Sequence, residues 1–198
     1  MKTFLEFFIE GIDDEFPRKS KIEPAQSRAV KDYMSQGYMY DRKKGREHID
    51  KLIRTSPWTT KEQTIYRGVT KLPETDSTGH HSHPRITSYS RSINTAAHFA
   101  GAHPSDKEQS AAIIRLKVPP KSRMYRTDAD DSGEQEQLLR SGSRIKINKE
   151  PSEYHTHTSK TRSYDKEKGK VVDNHYSVKI PIHDAELVDD NTSKKFKR

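Results

Sequence analysis

The spacing of apolar residues predicts two helices between residues 24 and 54. In the first helix, apolar side chains three or four residues apart would share one side: Ala29, Val30, Tyr33 and Met34. Gly37 interrupts this pattern. The second helix is indicated by "REHIDKLIR", with Ile49, Leu52 and Ile53 along one side, and the "TSPW" that follows ends it. We expect both helices on one side of the fold.

The pattern changes at Gln63, where short runs of β-branched and aromatic residues begin. Runs of this kind predict strands, which we place at "QTIYRGV", "RITSYSRS", "SAAIIRLKVPP" and "VVDNHYSVKIPI". A short helix, "AAHFAGA", capped by Asn94 or Thr95, separates the second strand from the third. "KLPETDSTGHHSHP" is predicted to be a loop, and the polar stretch from Asn148 through Lys170 a long excursion.

Helices first and then mostly strands is the order typical of an α+β fold, not of alternating β and α units. With 198 residues the chain is predicted to form one domain. We divide it into an N-terminal helical region at 1–60, a core at 61–188 and a basic tail at 189–198. Only 29% of the residues are hydrophobic, so we expect a small core surrounded by solvated loops.

The composition excludes several classes of protein and site. Cysteine is absent, which rules out disulfides, thiolate metal sites and cysteine nucleophiles, and suits the cytoplasm, where we expect this protein. No apolar run reaches the length of a membrane span, so no membrane partner is predicted. The start, "MKTFLEFFIEG", is a poor secretory signal and fits a short amphipathic helix or a removable leader. The net charge of +8 favours anionic partners.

Arg67, in "TIYRGV", would share a strand face with the apolar residues Ile65 and Val69. A guanidinium in such surroundings needs an anion, because an unpaired buried charge is costly. Gly68 beside it would let a ligand approach the backbone closely. The alternative interpretation is a structural arginine that pairs with a core carboxylate.

Two further pairs of polar residues could serve a site. Ser88 and Ser90 share a strand face, and their hydroxyls could hold a carboxylate in place, although they could also belong to an ordinary edge strand. Glu134 and Glu136, in "GEQEQLL", also share a face if this segment is extended. Two neighbouring carboxylates repel, so they are either solvated in a turn or neutralised by a cation between them.

The order of these motifs resembles the arginine–serine–glutamate class of mono-ADP-ribosyltransferases. In that class an arginine ends one strand, an S-x-S motif precedes a helix with an "HFA"-like run, and E-x-E opens a later strand. The small bacteriophage-encoded members look most similar, and the resemblance covers Ile65 to Ile147. It implies a fold of two packed, mainly antiparallel sheets with NAD+ bound in the cleft between them.

The resemblance also implies which residues bind NAD+. Arg67 would hold a phosphate, and the backbone of Gly68 would receive the nicotinamide amide. Ser88 would orient the catalytic carboxylate, with Ser90 as its helper. Phe99, in "AAHFA", completes the cofactor-binding set.

For catalysis, the resemblance implies that Glu136 stabilises the oxocarbenium-like transition state and that Arg67 and Ser88 support it. Glu134 would pair with an incoming guanidinium, so the implied reaction transfers ADP-ribose to arginine side chains of host proteins and releases nicotinamide. The expected partners are NAD+ and a protein with an exposed arginine, among them nucleic-acid-associated proteins. The enzyme is expected to be a monomer.

No metal site is predicted. Residues 128–139 imitate a calcium loop, but Leu139 stands where a bidentate glutamate is required. The histidine groups are predicted to be solvated in loops: His80, His81 and His83, and His155 and His157. Two alternatives to the arginine reaction stay open, namely the same chemistry with RNA or water as acceptor, and a non-catalytic basic module that binds nucleic acid.

Overall fold

The computed structural model describes residues 22–36, 43–101, 110–127, 136–165 and 170–189. The predictions for the start of the chain, for Gly37, for the loop at 128–133, for Glu134 and for the basic tail lie outside these residues.

Two helices occupy the N-terminal part of the described chain, as predicted: α1, Pro24–Gln36, and α2, Lys43–Thr55. The apolar side chains that the sequence places along one side of each helix are buried or partly buried. The three in α2 are fully buried: Ile49, Leu52 and Ile53. The cluster that they form reaches strands of the core: Ala29, Val30, Ile49, Leu52 and Ile53 with Ile86, Tyr125 and Leu138.

The rest of the described chain is dominated by one nine-stranded sheet. Its strands are β1 Gln63–Val69, β2 His80–Ser82, β3 Thr87–Ser90, β4 Ala112–Val118, β5 Tyr125–Arg126, β6 Glu136–Leu139, β7 Arg144–Ile147, β8 Glu153–Asp165 and β9 Lys170–Asp189. They follow the order β2-β7-β9-β4-β1-β3-β6-β5, and β8 pairs with β9. Only the β4–β9 pair is parallel among these strands, so the predicted α+β fold with mainly antiparallel strands is confirmed.

The sheet curls so that its two halves face each other. His83, which directly follows β2 at one edge, lies 3.0 Å from the hydroxyl of Tyr89 in β3, measured from Nε2. The expected two packed layers are therefore halves of one continuously hydrogen-bonded sheet. Their shared core consists of Ile65, Tyr89, Ile114, Leu116, Val118, Met124, Leu139, Ile145, Ile147, Ala185 and Leu187. Burying each such aliphatic side chain contributes about 1.5–3 kcal/mol.

The excursion predicted between Asn148 and Lys170 is wrong, because most of this segment is strand β8. It pairs with β9 along its whole length, from Glu153 opposite Ile182 to Asp165 opposite Lys170. The polar composition of this segment suggested a loop. A two-stranded ribbon with one solvated face, however, needs apolar residues only on its other face. That other face buries Val178, Ile180 and Ile182.

The predicted loop between residues 71 and 84 also contains a strand, β2. It has only three residues and pairs with β7 at the edge of the sheet. A strand so short needs no long run of β-branched residues, so its composition did not distinguish it from a turn.

The short helix is α3, Ile93–Phe99, and its cap is Ser92 instead of the predicted Asn94 or Thr95. The Ser92 side chain accepts a hydrogen bond from the backbone N–H of Thr95 at 3.3 Å. Small residues let the helix lie directly on β1, because Ala96, Ala97 and Ala100 are buried against the sheet. A Cβ added at Gly68 would stand 1.8 Å from the backbone oxygen of Ala96, so only glycine fits there.

Candidate active site

Strands β1 and β3 separate at Arg67. They pair only at Tyr66 and Ser90, whereas β1 stays paired with β4 as far as Val69. Beyond that single pair, the Arg67 side chain bridges the two strands, and its Nη1 donates a hydrogen bond to the backbone oxygen of Ser88 at 2.7 Å. The curled sheet thus opens between these strands.

A cleft of about 450 Å³ lies at this opening. Residues of β1, of the segment from His81 to Ser88 and of both N-terminal helices line it. Four of the lining side chains are cationic, and a single carboxylate accompanies them in the described part of the chain: Arg46, Arg67, Lys71 and Arg85, with Glu136. Such a surface favours a ligand with several negative charges.

Glu136 is the first residue of β6, and its backbone is fixed by hydrogen bonds with Thr127. The N–H of Thr127 donates to the Glu136 oxygen at 2.9 Å, and the Glu136 N–H donates to the Thr127 hydroxyl at 3.1 Å. Glu136 pairs with Ser90, and Ser88 pairs with Leu138, so all four share one face of the sheet. Ser88 and Glu136 both line the cleft.

Tyr33 of α1 also reaches this point, a role that the sequence did not reveal. Its hydroxyl makes a side-chain hydrogen bond with Ser88 and lies 3.5 Å from the backbone oxygen of Ile86. Burial raises the pKa of the Tyr33 hydroxyl; the nearby carboxylate of Glu136 raises it further, while Ser88 and Arg67 lower it. One sequence signal could have indicated this role, namely a tyrosine among apolar helix positions. A hydroxyl that is buried there needs a hydrogen-bond partner.

His83 is buried, contrary to the prediction that the "HHSH" histidines are solvated. Only 5% of it is exposed, and its Nε2 forms a hydrogen bond with the hydroxyl of the buried Tyr89. Burial, together with the charges of His81 and Arg67, lowers the pKa of His83 to about 3, so the ring is neutral at physiological pH. Both His81 and His83 line the cleft.

His155 and His157 are half-buried, and His157 approaches His98 of α3 with ring centroids 6.5 Å apart. Within the ranges that the structure describes, no group of three or more histidine or carboxylate side chains could hold a metal ion. Nor does any helix in those ranges have the length and apolarity to cross a membrane.

Comparisons with known proteins give no matching family model and no matching curated sequence, but they do give similar solved structures. Vis, an ADP-ribosyltransferase from Vibrio splendidus, matches with a TM-score of 0.50 and 16% identity over 98% of this chain and 90% of its own. The ADP-ribosylating toxin BECa of C. perfringens, solved with NADH, matches with a TM-score of 0.52 and 14% identity over 94% of this chain. The C2-I component of the Clostridium botulinum C2 toxin matches with a TM-score of 0.50 and 16% identity over 85% of this chain.

The chain has the ADP-ribosyltransferase fold. It spans 49% of BECa and 45% of C2-I, so these two proteins contain much that has no counterpart here. The ADP-ribosyltransferase fold is the one that the order of the three motifs implied.

Within this ADP-ribosyltransferase fold, Arg67, Ser88 and Glu136 meet at one cleft, while the other predicted site residues in the described chain are not part of its lining. The Ser90 hydroxyl accepts a hydrogen bond from the backbone of Ser92 at 3.0 Å and so serves the turn into α3. Phe99, at the end of α3, is 56% exposed and is not part of the cleft lining.

Gly68 does not line the cleft either. The reason that we gave for a glycine at this position needs correction, because the space beside it is filled by α3 and not by a ligand. The backbone groups of Gly68 are unaffected by this correction, and their contact with nicotinamide stays a prediction.

Proposed function

We propose that this protein is an NAD+-dependent mono-ADP-ribosyltransferase of the arginine–serine–glutamate class that modifies arginine side chains of proteins. The observation that carries the proposal is the meeting of Arg67, Ser88 and Glu136 where β1 and β3 separate, in a chain with the ADP-ribosyltransferase fold. The cationic lining suits the two phosphates of NAD+.

The reaction breaks the bond between ribose C1′ and the nicotinamide nitrogen, and the bonding electrons leave with nicotinamide. The sugar becomes oxocarbenium-like, so a carboxylate close to it stabilises the transition state electrostatically. Glu136 is the one carboxylate among the described lining residues, and we assign this role to it. Ser88 and Tyr33, which are hydrogen-bonded to each other beside Glu136, orient it.

Arg67 holds a phosphate in this proposal. One of its N–H groups is used by the Ser88 backbone, and the remaining donors of the planar fork are suited to phosphate oxygens. Arg46, Lys71 and Arg85 add positive charge to the same cleft.

The acceptor is a guanidinium nitrogen of a substrate arginine, which forms the new bond to C1′ and loses a proton. We assign this proton to Glu134, two residues before Glu136 in the chain. A glutamate carboxylate also neutralises the incoming cation, which accounts for two glutamates in the E-x-E motif. The chemistry needs no metal ion. We further propose that the protein acts as a monomer in the cytoplasm, on a host protein if it is phage-encoded.

We also propose that the helical region at 1–60 is part of the same catalytic domain as the core. The cleft lining supports this, because Tyr33 and Arg46 contribute to it together with Glu136.

The test is to incubate the full chain with labelled NAD+ and a cell lysate, and to digest the products separately with protease and with nuclease. We expect protease-sensitive label, released by treatments that cleave arginine-linked ADP-ribose, together with free nicotinamide. Nuclease-sensitive label would identify RNA as the acceptor, and nicotinamide release without label would identify water. No nicotinamide release at all would contradict the proposed chemistry.

A further inference from the structure

The histidines of the segment from His81 to His83 occupy the cleft without a role in the reaction described above. His81 and His83 are two residues apart, and their rings meet edge to face with centroids 5.1 Å apart. Both rings line the cleft that contains Arg67 and Glu136.

Hydrogen bonds to its backbone and to its Nε2 fix the orientation of His83. Its backbone N–H donates to the oxygen of Ser143 at 2.9 Å, and its backbone oxygen accepts from Gly142 at 2.7 Å. Its Nε2 is hydrogen-bonded to the hydroxyl of Tyr89, a residue that is only 2% exposed.

The second ring nitrogen of His83, Nδ1, has no hydrogen-bond partner among the described residues. Because Tyr89 occupies Nε2 and the ring is neutral, Nδ1 offers one directional hydrogen bond without adding charge. This group suits a hydroxyl or a ring nitrogen of a ligand better than it suits a phosphate, which the nearby cations attract.

His83 and Glu136 lie toward opposite faces of β3. Glu136 shares the face that carries Ser88 and Ser90, whereas Tyr89, whose hydroxyl is bonded to Nε2 of His83, projects from the other face. Arg67 contacts the β3 backbone between them, at the Ser88 oxygen. The cleft therefore has a Glu136 end and a histidine end, with Arg67 between them.

We propose that His81 and His83 form the subsite for the adenosine half of the dinucleotide, with Nδ1 of His83 bonded to an adenosine hydroxyl or ring nitrogen and His81 against the base. The inference rests on the proposed function, which places the nicotinamide ribose at Glu136 and a phosphate at Arg67. The remaining half of the same ligand then reaches the histidine end.

The experiment measures direct binding of ADP and of nicotinamide mononucleotide to the full chain by calorimetry. Both ligands carry a phosphate for Arg67, but only ADP carries adenosine. In His83→Ala, we expect ADP affinity to fall about 2- to 13-fold, which corresponds to one hydrogen bond of about 0.5–1.5 kcal/mol. Affinity for nicotinamide mononucleotide should be unchanged. Arg67→Ala is the reference variant and should weaken both ligands.

Two further variants keep the test decisive if His83→Ala does not fold. Tyr89→Phe preserves the packed ring but removes the hydroxyl that holds His83, and His81→Ala changes a half-buried residue; each should weaken ADP alone. His80→Ala is the matched control, since His80 belongs to the same strand but not to the cleft lining, and it should change neither affinity.

Unchanged ADP affinity in these cleft variants, or an equal loss for both ligands, would overturn the proposal. The outcome for the proposed function is separate, because it depends on nicotinamide release from NAD+. A wild-type chain that binds ADP through His83 but releases no nicotinamide would overturn the transferase activity and leave the adenosine subsite standing.

Discussion

Arg67 bridges the separated strands by donating to the Ser88 oxygen, and in the function that we propose its further N–H groups bind a phosphate. A lysine supplies charge without the planar fork.

We therefore expect Arg67→Ala to lower NAD+ affinity about ten- to a hundred-fold, since a charge-assisted phosphate contact is worth about 1.5–3 kcal/mol. Arg67→Lys should recover part of this loss. Titration of each variant with NAD+ measures the effect. Normal NAD+ binding by Arg67→Ala would show that the arginine is structural, which is the alternative that its sequence context left open.

Tyr33→Phe should reduce the rate of nicotinamide release and leave the fold intact, because the ring keeps its place beside the helix cluster while Ser88 loses a hydrogen-bond partner. The loss of one such bond corresponds to about a 2- to 13-fold effect. Steady-state kinetics should show it mainly in kcat. A change in KM alone would mean that Tyr33 contacts NAD+ without orienting Ser88.

At the scale of elements, the contact between α3 and β1 depends on Gly68. A Cβ there would meet backbone atoms of the helix, which cannot move aside as a flexible side chain does. Gly68→Ala should therefore destabilise the fold by about 1–3 kcal/mol or more. Urea unfolding measures this. Gly45→Ala, in the first turn of α2, is the control and should be neutral or stabilising. A fully stable Gly68→Ala variant would contradict the close packing of α3.

Ion pairs link the ribbon of β8 and β9 to strand β4, at the end of the ribbon where β8 begins. Arg115 of β4 donates to Asp184 of β9 at 2.6 and 3.1 Å and also pairs with Glu153 of β8. The hydrogen bond from Arg115 lowers the pKa of the Asp184 carboxyl below its ordinary value.

A carboxyl with a lowered pKa in the folded state stabilises the fold above its unfolded pKa, which is about 3.9 for aspartate. This stability is lost as the pH falls through the folded value. Asp184→Asn should therefore be less stable than the wild type at neutral pH, and the difference should shrink in acid. Urea unfolding at both pH values checks this, with Asp173→Asn in the outer ribbon as the control. A difference that does not depend on pH would assign the effect to packing.

At the scale of the whole molecule, the sequence was informative wherever function depends on local motifs. Arg67, Ser88 and Glu136 each stand in a short pattern with a recognisable neighbourhood, and the fold brings these three together as the resemblance implied. Tyr33 and His83 reach the same cleft only through tertiary packing. The polar loop carries no local sign that His83 is buried, and the only local sign for Tyr33 is its hydroxyl among apolar helix positions.

The extent of the sheet was likewise only partly predictable. Strand β4 is mostly apolar and was recognised, whereas β8 is polar because one of its faces is solvated. The continuity between the two layers depends on pairings such as Tyr66 with Ser90, and no periodicity within a strand encodes its partner.

The central claim is that Glu136 stabilises the sugar cation whatever the acceptor, and that Glu134 acts only on an arginine acceptor. The most direct measurement is nicotinamide release from NAD+, with and without an arginine-rich acceptor, for Glu136→Gln and Glu134→Gln. Glu136→Gln should lose about 10²–10³-fold in both conditions, because it removes a preorganised charge and keeps the shape. Glu134→Gln should lose the stimulation by the acceptor and keep much of the slow hydrolysis. Full activity of Glu136→Gln in both conditions would contradict the account.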